Sequence, residues 1–132
     1  MKTIFVKYRG EAIELVPVIG LYRVRDYMGT PAVNIAITLQ LTDGSPFAHL
    51  TTSFGEFIGM KNCAYIDTNN FPDAVEILAQ GYAKDTGFRK YSGYCTYPLW
   101  QFSEDFLKCC EGAGNYRKYL ECYKILVEDK LG

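Results

Sequence analysis

The stretch Val33-Asn-Ile-Ala-Ile-Thr-Leu-Gln-Leu41 alternates aliphatic side chains with small or polar ones along its whole length. A period of two residues is typical of a strand that buries one face and leaves the other in water. The next residues, Thr42-Asp-Gly-Ser45, favour a hairpin turn, because glycine adopts positive φ without steric cost. We therefore predict that residues 33–41 form an antiparallel strand whose partner is residues 46–52.

The first 54 residues contain three more runs that are rich in β-branched and aromatic side chains, which favour extended structure. Residues 3–8 and 11–16 flank Arg9-Gly10, and residues 21–26 precede Met28-Gly-Thr-Pro31. Together with the hairpin, these runs predict a five-stranded antiparallel meander.

Helical signals begin after this meander. We predict a first helix near residues 72–83, because the side chains of Asp67-Thr-Asn-Asn70 can cap it, Pro72 is tolerated in its first turn and Gly81 favours an end. The sequence in front of this helix is therefore interpreted as a capping loop.

Two further helices are predicted towards the carboxyl end. One near residues 103–111 should begin at Ser103, and the other near 115–129 should be capped by Asn115. The last helix has an apolar stripe at helical spacing, formed by Tyr116, Tyr119, Leu120, Tyr123 and Val127.

Between the helices, residues 86–89 are predicted to form a loop and residues 94–102 to return to extended structure. Strands followed by helices indicate an α+β fold, in which an antiparallel sheet packs against about three helices. The 132 residues are enough for one domain, which we assign to 1–132.

Charge and hydropathy exclude some classes of function. The chain has 14 Lys and Arg against 15 Asp and Glu, so no overall positive field attracts a phosphate backbone and non-specific nucleic-acid binding is disfavoured. Near the amino end, only three consecutive apolar residues precede Lys7, too few for a signal peptide or a membrane span. We expect a cytoplasmic protein that does not bind membranes.

Residues typical of catalysis or metal binding are sparse. His49 is the only histidine, and it is expected to be structural or solvated. The five cysteines are irregularly spaced, and the adjacent Cys109 and Cys110 would point about 100° apart on a helix, so we expect reduced thiols, no metal and no cofactor. An enzyme that uses Cys95, His49 or Asp67 remains an open alternative if those side chains converge in space.

The segment Tyr91-Ser-Gly-Tyr-Cys-Thr-Tyr-Pro-Leu-Trp100 has three tyrosines and the only tryptophan. Such side chains concentrate in cores with a satisfied polar edge or at interfaces, and the sequence leaves both interpretations open. We expect the part around Tyr91 to be exposed, because Gly93 and the preceding basic pair indicate a loop. The candidate binding residues are Arg89, Tyr91, Tyr94, Tyr97 and Trp100, with Asp67 and Asn69 beside them.

A combination of short motifs resembles a family of small uncharacterised bacterial proteins with a domain-of-unknown-function label. The motifs are Ala64-Tyr-Ile-Asp-Thr-Asn-Asn70, Gly81, Thr86-Gly87 and Ser92-Gly-Tyr-Cys-Thr-Tyr-Pro98, after a strand that ends in Leu41-Thr-Asp-Gly44. The resemblance covers roughly residues 30–102. It implies no catalytic residue, but it implies a setting on conjugative elements, plasmids and prophages of gut bacteria, where small accessory proteins often counter host defence.

The leading hypothesis is therefore a non-enzymatic interaction protein that binds a host protein or a protein–RNA complex, such as an inhibitor of CRISPR or restriction systems. The alternative is a small-ligand or nucleotide sponge, in which stacked tyrosines and Trp100 line a pocket and Arg89 or Lys90 neutralises phosphate. An aromatic cavity with a basic rim would favour the alternative.

Overall fold

The alternating stretch forms an inner strand of the first of two four-stranded antiparallel sheets in the computed structural model, which describes residues 3–131. The strands of this sheet follow chain order: β1 (Ile4–Tyr8), β2 (Glu11–Arg25), β3 (Pro31–Leu41) and β4 (Pro46–His49). Strand β3 pairs with β2 along its full length, so the prediction of an antiparallel strand at residues 33–41 is confirmed.

The predicted five-stranded meander is wrong by one strand, because the strands predicted at 11–16 and 21–26 merge into the single long strand β2, which ends at Arg25. Pro17 does not interrupt it, since its carbonyl points outward and accepts the N–H of Glu111 at 3.0 Å. The missing N–H of Pro17 therefore falls on the side where β3 needs no donor, as is usual for proline in a sheet.

Residues 46–52 do not all pair with β3 as predicted. Strand β4 does, but β5 (Thr51–Thr52) belongs to the second sheet. Leu50 lies at the crossing, where its N–H donates to Ile37 and its carbonyl accepts the N–H of Asp67. The partner segment therefore changes sheets at one fully buried residue.

The second sheet has the strand order β5-β6-β8-β7 and includes β6 (Cys63–Ile66), β7 (Ala83–Ser92) and β8 (Cys95–Phe102). The extended segment predicted near 94–102 is confirmed as β8. The loop predicted at residues 86–89 is wrong, because these residues lie in β7 at an irregularity between Asp85 and Arg89. Gly87, with a φ of 89°, allows the chain to bulge there without leaving the sheet.

Three helices are found where they were predicted, although the first is shorter. Helix α1 (Val75–Ala79) follows a 3₁₀ turn at Pro72–Ala74, and α2 (Glu104–Cys109) begins after Ser103, whose hydroxyl accepts the N–H of Phe106. Helix α3 (Ala113–Tyr123) continues as a π-helical turn (Lys124–Glu128) and a short terminal turn (Asp129–Leu131).

Two predicted caps are wrong. The Asp67 carboxylate accepts hydrogen bonds from Asn70, and the turn at Pro72–Ala74 has no side-chain cap. Helix α3 begins after Gly112, and the Asn115 amide instead donates to the carbonyl of Ile19 at 3.0 Å. Each side chain satisfies a nearby backbone group of a loop or strand, which is the usual competitor of capping.

The core is one continuous cluster formed by both sheets and the inner faces of the helices, and it includes Trp100, Phe102, Phe106 and Tyr119. Helix α1 contacts both β1 and β7. Its Glu76 carboxylate accepts the N–H of Lys7 at 2.7 Å, and its Gln80 amide donates to the carbonyl of Phe5 at 2.7 Å. One outward N–H and one outward carbonyl of edge strand β1 therefore have side-chain partners, which hinders further strand pairing there.

Three tyrosines of α3 hold the loop that leads into β6. Tyr119 accepts the N–H of Asn62 at 2.9 Å, Tyr116 donates to the Asn62 side chain at 2.9 Å, and Tyr123 donates to the carbonyl of Gly59 at 3.2 Å. Asn62 is buried and has a φ of 63°, a conformation that asparagine tolerates better than most residues. The predicted apolar stripe of this helix is thus also a row of hydroxyl groups that fixes a loop.

Candidate binding surface

Beyond β6, the hairpin of β7 and β8 continues as a two-stranded arm, which we call the hairpin arm and define as residues 88–98. Strand β6 pairs with β8 only opposite Leu99, Trp100 and Gln101, so the arm has no third strand. Gly93, at a φ of 61°, and Tyr94 form the two-residue turn at its tip. Residues 88–98 therefore form an extended hairpin that projects beyond the rest of the sheet.

Aromatic side chains on the hairpin arm are strongly exposed. Tyr94 is fully accessible, Tyr91 is 75% exposed and Phe88 is 60% exposed. Tyrosine presents a large apolar area with a polar tip and has few rotatable bonds, which makes it a common anchor in protein interfaces. The expectation that the segment around Tyr91 is exposed agrees with this arrangement.

The base of the arm is fixed by an aromatic cluster. The ring of Phe54 packs edge-on against Tyr97, with centroids 5.0 Å apart, and against Tyr65 at 5.4 Å. The Asn69 amide donates to the carbonyl of the neighbouring residue Thr96 at 3.4 Å. Desolvation raises the pKa of Tyr97, and Cys95 and Asp67 raise it further, so this hydroxyl stays protonated at neutral pH.

Arg89 lies on the arm but forms an ion pair within β7. Its guanidinium donates to both carboxylate oxygens of Asp85, at 2.8 and 2.7 Å, across the bulge. The Arg89 hydrogen bond lowers the pKa of Asp85, and the carboxylate in turn raises the pKa of Arg89. Both side chains are about one-third exposed, so the pair is worth little in stability but reduces the free positive charge of the arm.

Lys90 joins the arm to the segment between β5 and β6. Its ammonium lies 2.6 Å from the Glu56 carboxylate and 5.6 Å from the centroid of the Phe54 ring. The pKa of Lys90 is raised chiefly by the hydrogen bond to Glu56. This contact spans 34 residues of sequence and closes one side of a pocket.

The Glu56 segment is held in turn by Asn34 of β3. The Asn34 amide nitrogen donates to the carbonyl of Glu56 at 2.7 Å, and its oxygen accepts the N–H of Ile58 at 3.0 Å. Asn34 is 4% exposed, although the sequence pattern assigned it to the polar side of its strand. The sequence did not indicate this role of Asn34, because Thr38 and Gln40 occupy equivalent positions of the same alternating strand.

A pocket of about 280 Å³ lies between this segment and the hairpin arm. Its apolar lining includes Phe54, Phe57, Tyr65 and Phe88, together with Met60, and its polar lining includes Asn34, Thr52 and Ser53. Arg89, Lys90 and Glu56 border it as well. The pocket is therefore aromatic, with charged groups at its rim that already have partners of opposite charge.

The predicted binding residues fall into three places. Tyr91 and Tyr94 lie at the arm tip, Tyr97 lies at its base with Asn69 and Asp67 close by, and Arg89 is paired with Asp85. Trp100 is 1% exposed in the core, so it is not available to a partner in this conformation. The aromatic run is thus part surface and part core: the part around Tyr91 is exposed as expected, whereas the choice of Trp100 as a binding residue is wrong.

The candidate catalytic residues are distributed differently. His49 is exposed at the end of β4, and Cys95 is half-buried at the arm tip. The five cysteines, all within the described residues 3–131, form no disulfide, and burial raises the pKa of Cys63 to about 11. Within residues 3–131, His, Cys, Asp and Glu side chains form no group of three or more that could hold a metal ion.

The fold and the exposed arm describe a small α+β protein. Residues 21–120 match a family described as a domain of unknown function (DUF4313), and the chain belongs to that family. The match contains β3, the pocket and the whole hairpin arm, and it also takes in most of α3. No curated protein and no solved structure matches the chain. In the part of the chain that the structure describes, no helix has the length and apolar character needed to cross a bilayer.

Proposed function

We propose that this protein is a non-enzymatic binding protein whose hairpin arm docks on a host protein or a protein–RNA complex. The observation that supports this proposal is the exposure of Tyr91 and Tyr94 at the tip of an arm whose base is fixed. Exposed aromatic rings on ordered backbone lose little conformational entropy on binding, so most of the energy of contact is retained as affinity.

The charge of the arm agrees with a protein-containing partner. Arg89 is neutralised by Asp85 and Lys90 by Glu56, so the arm offers aromatic area without a free cluster of cations. Tight binding to bare nucleic acid depends on many phosphate contacts by Lys and Arg. We therefore favour recognition by aromatic anchors over electrostatic recognition of a phosphate backbone.

The biological setting we propose is that of an accessory protein of a mobile element in gut bacteria, one that inhibits a CRISPR or restriction system in the cytoplasm by occupying a component of it. The motif resemblance supports this setting by association. A small inhibitor of this kind needs an interface and no catalytic group, and His49 and Cys95 lie in different sheets.

A transformation assay tests this proposal. Cells that express a CRISPR nuclease or a restriction enzyme receive a targeted plasmid, with and without this protein, and protection should appear as recovered transformants. The double variant Tyr91→Ala/Tyr94→Ala should lose protection, because removing an interface anchor costs about 2 kcal/mol or more, roughly thirtyfold in affinity.

The matched control is Tyr27→Ala, which removes an equally exposed tyrosine from the β2–β3 turn, outside the arm. It should protect as well as the original protein, and all variants should have the same melting temperature. If the double variant folds and still protects fully, the arm is not the docking site. If the original protein protects against none of a panel of CRISPR and restriction systems, the counter-defence function is wrong.

A further inference from the structure

The pocket beside the hairpin arm has the composition of a ligand site. Two exposed apolar side chains, Phe88 at 60% and Met60 at 36%, line this same cavity. Binding a ligand that covers an exposed apolar side chain is favourable, because it removes apolar surface from water. Opposite them, the rings of Phe54 and Tyr65 already pack edge to face, which is a favourable geometry for aromatic contacts.

The pocket walls are fixed in position. The Asn34 amide holds the segment of Glu56 and Ile58 through two hydrogen bonds, of 2.7 and 3.0 Å. The Lys90–Glu56 ion pair, at 2.6 Å, ties that segment to the arm. A pocket that is formed before binding avoids the ordering cost that weakens ligand affinity.

Two cations, Arg89 and Lys90, and one carboxylate, Glu56, border the pocket, and each cation has a carboxylate partner. Arg89 contacts Asp85, and Lys90 contacts Glu56. Because each cation already has a carboxylate partner, a phosphate would compete with Asp85 or Glu56 for it, so phosphate gains less from this rim than it would from unpaired cations. The paired charges at the rim therefore favour a neutral ligand over a nucleotide.

We propose that this pocket binds one flat, uncharged ring system from a free small molecule, of the size of a nucleobase or an indole. The volume of about 280 Å³ lies just below the range for drug-sized ligand sites, roughly 300–1,000 Å³, which suits a small ligand of one or two fused rings. The hydroxyl groups of Thr52 and Ser53 provide polar partners for a heteroatom of the ring. This proposal does not depend on the arm contacting a protein.

Calorimetric titration of the full chain with indole, adenosine and AMP tests the inference. At least one neutral ring should bind saturably, and AMP should bind no more tightly than adenosine. The variant Phe88→Ala should weaken ring binding by about tenfold, because Phe88 borders the pocket. Tyr94→Ala serves as the control, since Tyr94 is also an exposed aromatic residue of the arm but does not line the pocket.

Three results would overturn the proposal: no saturable binding of either neutral ring at millimolar concentration, unchanged binding in a folded Phe88→Ala variant, or clearly tighter binding of AMP than of adenosine. Melting temperatures of both variants separate loss of binding from loss of fold. The transformation assay uses Tyr91 and Tyr94, which lie outside the pocket, so ring binding and partner docking can fail independently.

Discussion

Removing the hydroxyl group of Tyr119 should destabilise the protein through a single buried hydrogen bond. Tyr119 is 1% exposed, and its oxygen accepts the N–H of Asn62 at 2.9 Å. Asn62 is itself 8% exposed, so water has little access to the N–H once the hydroxyl is gone. The substitution Tyr119→Phe therefore leaves a backbone donor buried without a partner while the ring can stay in place.

The expected cost follows from that unsatisfied group. A buried donor that loses its partner costs about 1–3 kcal/mol, more than the net value of the bond itself. For a domain of this size, each kcal/mol lowers the melting temperature by about 3–4 °C, so Tyr119→Phe should melt about 3–12 °C lower. The same ring and nearly the same volume remain, so little of this effect should come from packing.

Two neighbouring tyrosines provide a graded comparison. Tyr116→Phe removes the donor to the Asn62 side chain, and Tyr123→Phe removes a longer, partly exposed bond of 3.2 Å to Gly59. Because water can replace the last of these bonds, we expect the loss of stability to decrease in the order Tyr119, Tyr116, Tyr123. Urea denaturation of the three variants, with unchanged slopes, measures this order.

A Tyr119→Phe variant with a free energy of unfolding within about 0.5 kcal/mol of the original protein would refute this reasoning, because buried unsatisfied donors cost more than that. So would a larger loss for Tyr123→Phe than for Tyr119→Phe. Either result would mean that the loop before β6 is held by contacts other than the hydroxyl row of α3.

Two further stability predictions concern Gly112 and Cys63. Gly112→Ala should lower the free energy of unfolding by about 2 kcal/mol or more, because Gly112 has a φ of 86° and an added Cβ would lie 2.5 Å from the carbonyl oxygen of Ile19. Gly114→Ala is the control and should stabilise the protein by up to about 1 kcal/mol, because its Cβ has room at the start of α3. Equal denaturation midpoints for the two variants would contradict this prediction. The raised pKa of Cys63, about 11 against 9.0, favours the neutral thiol in the fold, so its contribution to stability is complete below pH 9 and is lost as the pH rises towards 11. Thermal unfolding between pH 8 and 11 should therefore show a decline that is smaller in Cys63→Ala, and identical declines would show that the thiol is not the cause.

The sequence predicted the elements whose periodicity is continuous and whose packing is local. Strand β3 alternates without a break, Ser103 caps α2, and the 3.6-residue stripe of α3 is buried at Tyr116, Tyr119 and Tyr123. The predicted strands split β2 into two and the predicted loop interrupted β7, because Pro17 and Gly87 weaken the local pattern of extended structure. Pairing along the neighbouring strand maintains extended structure in both, and a single sequence does not contain that information.

The candidate site was only partly predictable for a related reason. The pocket depends on two long-range contacts. Glu56 pairs with Lys90, 34 positions along the chain, and Asn34 binds the backbone of Glu56, 22 positions along the chain. Nothing in the local sequence distinguishes these side chains from ordinary solvated ones. Polar residues that fix loops at long range therefore become visible only when the fold brings them together.

The aromatic run shows how a strand edge decides the role of a side chain. Tyr91 and Trp100 have similar chemistry and lie in adjacent strands of one hairpin, yet one is 75% exposed and the other 1%. The difference is that Trp100 lies opposite Ala64 of β6, whereas Tyr91 lies opposite Thr96, beyond the end of β6. The composition of residues 91–100 indicates that exposing all of their aromatic rings to water is unfavourable. The length of the neighbouring strand β6 determines which of the rings are exposed. The rings that remain exposed are the ones for which the proposed docking function provides a reason.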